Sequence, residues 1–269
     1  MAEATGVIII GWWQLALATG FVVVVAVISW RLALGLEKDL ALATVRTYLQ
    51  LLALGFVLRW VFANQTWWLV VMLLGLMTLV ATTIIVRRSP DAPKGILTSS
   101  FISMALTGLI VTFTVTGVIV QVEPWYHAQY VIPIAGMVLG NSMTGIALAL
   151  ERVFADMDAR ADELLALTAL GATPWEAARG SVQVALRAGM IPTINSMAAV
   201  GIVFIPGMMT GQILAGVDPL AATGYQIVVM LMVAAATALG AVLAVMLTYR
   251  RRFSEDGVFL EQGMRGDVR

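Results

Sequence analysis

Residues 165–180 read LALTALGATPWEAARG, a stretch dense in helix-stop and helix-start chemistry inside a chain made otherwise of long apolar runs. Gly171 follows Leu170 at a point where a helix end closing in the left-handed region favours glycine, and Ala172 completes the turn. Thr173 is then placed to cap a new helix, Pro174 suits its first position, and Glu176 can reach back to the cap amide. Upstream, residues 151–170 have the composition of a charged helix, with Asp156 and Arg160 spaced to pair one turn apart. Downstream, Trp175, Ala178, Val182, Ala185 and Leu186 form one stripe, and Glu176, Arg179, Gln183 and Arg187 form its neighbour. The stretch predicts a helix, a tight turn and a second, amphipathic helix that leads into a membrane span.

The surrounding composition sets the class. The chain has 269 residues, 60% hydrophobic and 12% charged, with a mean hydropathy of +0.93, too apolar for a soluble domain of this size. Apolar windows fall at 7–29, 40–62, 67–86, 97–120, 130–150, 189–214 and 225–249, each near the ~20 residues that a helix needs to cross a bilayer. The expected fold is all-α and polytopic. A single transmembrane domain covers 1–250, including the 151–188 helix pair, and a tail follows at 251–269. The first run is too long for the apolar core of a secretory signal and reads as the first span. A net charge of zero offers nothing to nucleic acid, and the absence of cysteine excludes disulfides and thiolate metal sites.

Positive charge orients the spans, because lysine and arginine are retained on the cytoplasmic side. The segments at 31–38, 87–94, 151–187 and from 250 onward hold every basic residue except Arg46 and Arg59. The N-terminus is therefore expected outside and the C-terminus inside, with 151–187 cytoplasmic.

Polar groups within spans mark candidates for a transport pathway, since each needs a partner or a wet cavity. Arg46, with Gln50 one turn on, reads either as a cavity-lining pair or as an arginine that snorkels to the nearer surface. In the fifth window Gly136 and Gly140 form a small-residue face followed by Asn141, Ser142, Met143 and Thr144, a pattern that favours close helix packing. In the sixth, Pro192 and the Pro206-Gly207 pair interrupt the backbone ladder, and Met208, Met209 and Gln212 follow. Such a break either lines a binding site or forms a kink with a re-entrant turn. His127, Glu123 and Asp218 show no metal-ligand spacing, and methionine at helical spacing is more often packing than ligation.

LALTALGATPWEAARG resembles the cytoplasmic loop by which ABC-transporter permeases dock on their ATPase. The glutamate typical of that loop, six residues before the glycine, is Leu165 here, with Glu163 the nearest acid. IPIAGMVLGNSMTG at 132–145, IPGMMTGQILAGVDPLAATGYQIVVM at 205–230 and VRTYLQLLALG around Arg46 and Gln50 narrow the match. They resemble the FetB-type permeases, a group associated with iron export and with plant relatives linked to aluminium tolerance.

The resemblance implies an inner-membrane permease subunit, paired as a homodimer and driven by a separate ATPase that holds ATP and magnesium. Glu163 and residues Leu170 to Glu176 would be its coupling element, with no cofactor on this chain. No G-x-x-x-x-G-K-[ST] phosphate loop occurs in these residues, which agrees with an ATPase on another subunit. An ATP-independent transporter or channel, gated at the broken sixth window, and a membrane scaffold remain the alternative readings. Iron itself enters through the resemblance alone.

Overall fold

The computed structural model describes residues 10–89, 93 and 95–260. Residues 7–9 of the first window, Lys94, and Arg265 and Arg269 of the tail lie outside them. Nine α-helices account for most of the described chain: α1 (Trp12–Arg31), α2 (Glu37–Asn64), α3 (Trp67–Arg88), α4 (Ile96–Thr114), α5 (Ala128–Ala159), α6 (Ala161–Ala169), α7 (Pro174–Ala199), α8 (Gly207–Leu214) and α9 (Pro219–Thr248). A π-helical turn, Val115–Ile119, extends α4, and a 3-10 turn, Tyr249–Arg252, extends α9. The described residues contain no β-strand, only isolated bridges.

Among the described residues six helices, α1 to α5 and α9, are long and apolar enough to cross a membrane. The sixth sequence window, 189–214, is covered differently from a single span. Its first part is the end of α7, which is long enough to cross but carries Glu176, Arg179 and Arg187. Its second part is α8, whose eight residues extend only about 12 Å. Between the fifth and sixth windows α5 continues past its window to Ala159, the short α6 follows, and α7 runs unbroken from the turn into the bundle.

α5 is the central post, packed by α3, α4, α7 and α9. Small side chains allow the approach, as expected where apolar lipid removes the hydrophobic drive between helices and close van der Waals contact replaces it. Ala147, Ala149, Ala178, Ala185, Ala241 and Ala244 are all buried in one core cluster with Phe154, Met157 and Leu164. Some buried hydroxyls bond within their own helices: Thr82 Oγ1 donates to the Thr78 carbonyl at 2.8 Å and Ser103 Oγ to that of Ser99 at 2.8 Å.

α1 and α2 form a hairpin at the edge. Thr19 and Tyr48 hydroxyls meet at 2.7 Å, and Ser29 Oγ donates to Glu37 Oε1 at 2.8 Å across the turn. Almost all of the hairpin's surface is exposed in the single chain, including Arg46 and Gln50.

Candidate functional site

α7 stops at Ala199 because the backbone turns extended at Val200 (φ −63°, ψ 136°) and left-handed at Gly201 (φ +79°). The following amides turn back, Gly201 N–H to the Phe204 carbonyl at 3.0 Å and Val203 N–H to the Ala199 carbonyl at 2.8 Å. Pro206 then caps α8, where its missing N–H is not needed. Pro192, the other breaker in this window, is absorbed within α7.

The break opens a cavity of about 300 Å³. Met137 and Asn141 of α5 line it, with Thr193 and Ser196 of α7, Pro206, Gly207 and Met208 of the break and α8, and Gln226 and Met230 of α9. A neighbouring cavity, about 490 Å³, shares Pro206, Gln226 and Met230 and adds Met197 and Met209. Asn141 Nδ2 donates to the Met137 carbonyl at 2.8 Å, which holds its amide in place. Gln226 is 5% exposed, and its buried Oε1 has no hydrogen-bond partner in the protein. A buried, unpaired amide oxygen is unfavourable unless something fills its valence, so Gln226 is the group most poised for a ligand. The lining offers hydroxyls, amides and thioethers and no charged side chain in either cavity.

The residues singled out in the sequence separate into groups. Asn141, Pro206, Gly207 and Met208 meet in the first cavity, and Met209 lines the second. Met143 packs against the α5 core and lines neither cavity, and Gln212 sits partly buried further along α8. Arg46 and Gln50 lie on the exposed α2 face, away from both. The expected small-residue packing face is half present: a methyl group on Gly136 would touch Met77, whereas Gly140 has open space around it. Thr193, Ser196, Gln226 and Met230 were not singled out. Gln226 is the one amide in the last apolar window, and the cost of burying such a group could have marked it.

At the far end of α7 the predicted turn is built as its residues require. Gly171 takes φ +91°, its N–H donates to the Thr168 carbonyl at 3.0 Å, and Ala172 N–H donates to that of Leu167 at 3.0 Å. This double closure satisfies the last carbonyls of α6. Thr173 Oγ1 accepts from Glu176 N–H at 3.3 Å, and Thr173 N–H donates to Glu176 Oε2 at 2.8 Å. The Thr173 N–H, and at 2.7 Å the Thr173 hydroxyl, both donate to Glu176 Oε2 and hold that carboxyl below its ordinary range. Arg160, at the joint of α5 and α6, grips Glu163 through two nitrogens at 2.8 and 2.6 Å, Asp156 at 3.6 Å, and Ser181 of α7 at 3.3 Å. Its hydrogen bonds lower the Glu163 pKa, and the Glu163 bond raises that of Arg160. At the tip, Leu170 is 86% exposed.

The profile of an uncharacterised protein family, UPF0014, matches residues 12–253. A UPF0014 membrane protein of Synechocystis is 35% identical over 86% of this chain and 89% of its own. The probable iron export permease protein FetB of Escherichia coli is 34% identical over 90% and 92%. The Arabidopsis protein Aluminum sensitive 3 is 33% identical over 82% and 80%. No solved structure matches the chain.

Proposed function

The chain belongs to the UPF0014 family of membrane proteins, and from that premise we propose that it is the permease subunit of an ATP-driven exporter in the cytoplasmic membrane. Its cargo is a metal ion, and iron follows from the name of the Escherichia coli relative, a probable iron export permease. ATP and magnesium belong to a separate ATPase subunit, and two permease chains assemble with it. The spans are oriented with the N-terminus outside and the turn at 170–173 in the cytoplasm.

The observation that carries this reading is the continuity of α7. Its first residues close the capping box beside the exposed Leu170, and its last turns hold Thr193 and Ser196 at the cavity. Its 26 residues make a rod of about 39 Å. A push on the turn would therefore arrive at the cavity without crossing a flexible linker, which is what rigid-body alternating access requires. The exposed hairpin of α1 and α2, with Arg46 and Gln50 on its surface, supports pairing of two copies, since a lipid-facing arginine is unfavourable.

Export from vesicles carrying the chain with and without its co-expressed ATPase tests the assignment: metal efflux that needs both the ATPase and ATP supports it. The second reading, a transporter or channel independent of ATP, draws on the helix break at the cavity, a feature of ion-coupled transporters. Equal efflux without the ATPase would favour that reading.

A further inference from the structure

The end of the molecule that holds the turn carries a second structure. Past α9 the chain folds into a hook: Phe253 and Phe259 bridge as an antiparallel pair, Ser254 N–H donates to the Val258 carbonyl at 2.8 Å, and Leu260 N–H to that of Arg252 at 2.8 Å. Arg252 at its root is fully buried. Its guanidinium forms an ion pair with Asp158 and lies 5.5 Å from the Phe259 ring centroid. The two phenylalanine rings meet edge-on at 5.6 Å.

The hook rests on the turn. Tyr249 packs edge-on against Trp175 at 5.8 Å, and a methyl group on Gly257 would stand 3.5 Å from the Pro174 ring. Phe253 and Phe259 share one buried cluster with Phe154, Met157, Leu164 and Ala177, which belong to α5, α6 and α7.

The position of Asp158 gives this arrangement a consequence. α5 and α6 are separated by one non-helical residue, Arg160 (φ −111°, ψ 22°), a joint where a push on α6 could be absorbed. Asp158 lies two residues before it. A buried guanidinium is strongly unfavourable without its counter-charge, so Arg252 fastens the end of α9 to the end of α5 at that point.

We infer that Arg252 is a positioning residue for the turn: with Phe253 and Phe259 it locks the joint at Arg160, so that α6, the turn and the bundle move as one body. This role rests on the proposed coupling function of the turn.

Hydrogen exchange on the purified full-length chain tests it through Asp158→Asn and Phe259→Ala, two changes that lie outside the apolar windows. Amides of 161–173 should exchange about tenfold faster in both variants, while those of 97–114 in α4 keep their protection. Unchanged exchange at 161–173, or equal acceleration in both segments, would overturn the inference. With the ATPase co-reconstituted, ATP hydrolysis should persist while export falls several-fold; loss of both in step would contradict it. If the wild-type chain engages no ATPase, the coupling reading fails, and the exchange data still decide whether the hook fixes the turn.

Discussion

Gly189 of α7 lies so close to Gly145 of α5 that a methyl group built on Gly189 would stand 2.7 Å from the Gly145 carbonyl oxygen. The two backbones thus touch at the wall of the first cavity, which both glycines line together with Thr193. Here the rod is keyed to the central post.

That contact leaves no room for a side chain. Gly189→Val should destabilise the protein by about 1–3 kcal/mol through overpacking and lower its melting temperature in detergent. Gly140→Ala, on the same post but with open space around it, should leave the melting temperature unchanged or slightly raised, since alanine is the better helix former. Equal losses in the two variants would show that the close approach does not matter.

The capping box gives the turn its stiffness. Thr173→Gly combined with Pro174→Gly should lower ATP-driven export several-fold while membrane insertion, followed by fractionation, stays intact. Unchanged export would remove the turn from the transmission path.

Glu176 and Glu163 set an acid limit on the same structure. Both carboxyls titrate below their ordinary value of 4.5 in the folded chain, Glu176 through its Thr173 bonds and Glu163 through Arg160. A depressed carboxylate stabilises the fold at pH values above the unfolded pKa, and that contribution fades as pH falls through the folded value. Divided by the intrinsic amide rate at each pH, local exchange at 161–176 should therefore be flat above about pH 5 and rise below the ordinary 4.5. A rise that begins near neutral pH would point to another group.

Gln226 separates ligand binding from packing. Because its Oε1 is buried without a partner, Gln226→Leu removes no hydrogen bond of that oxygen and should leave thermal stability equal or improved. Export should fall sharply. A stability loss with normal export would assign Gln226 to the core instead.

The exposed α2 face predicts where two copies meet. The chain has no cysteine, so Arg46→Cys or Gln50→Cys introduces a single thiol. Oxidation in membranes should give a disulfide-linked dimer from at least one of them, and no dimer from Leu247→Cys on α9. Monomer throughout would leave α2 facing lipid.

Much of this arrangement could be read from residue chemistry, and the rest could not, for physical reasons. The turn was legible because Gly171, Thr173, Pro174 and Glu176 act through local backbone geometry, which sequence spacing reports directly. Six of the seven apolar windows reported spans, because length and hydropathy are local properties, whereas the sixth is split between the end of α7 and α8. The joining of the second turn helix to the sixth window was legible too, as a helix that continues through Arg179 and Arg187 into the apolar run. Gln226 and the Arg252 to Asp158 pair depend on contacts between segments far apart in the chain, and a lone amide or a tail arginine carries no local mark of its partner. Met143 looked equivalent to Asn141 because the two are neighbours in sequence, yet the turn of α5 sends one to the core and the other to the cavity.

The most direct test is contact at Leu170 itself. A cross-linker carried on Leu170→Cys, in membranes that also contain the co-expressed ATPase, should join the two subunits, and the yield should change when ATP is bound. ATP-driven export with no cross-link from position 170, while a control site elsewhere on the chain reacts with the ATPase, would contradict the account.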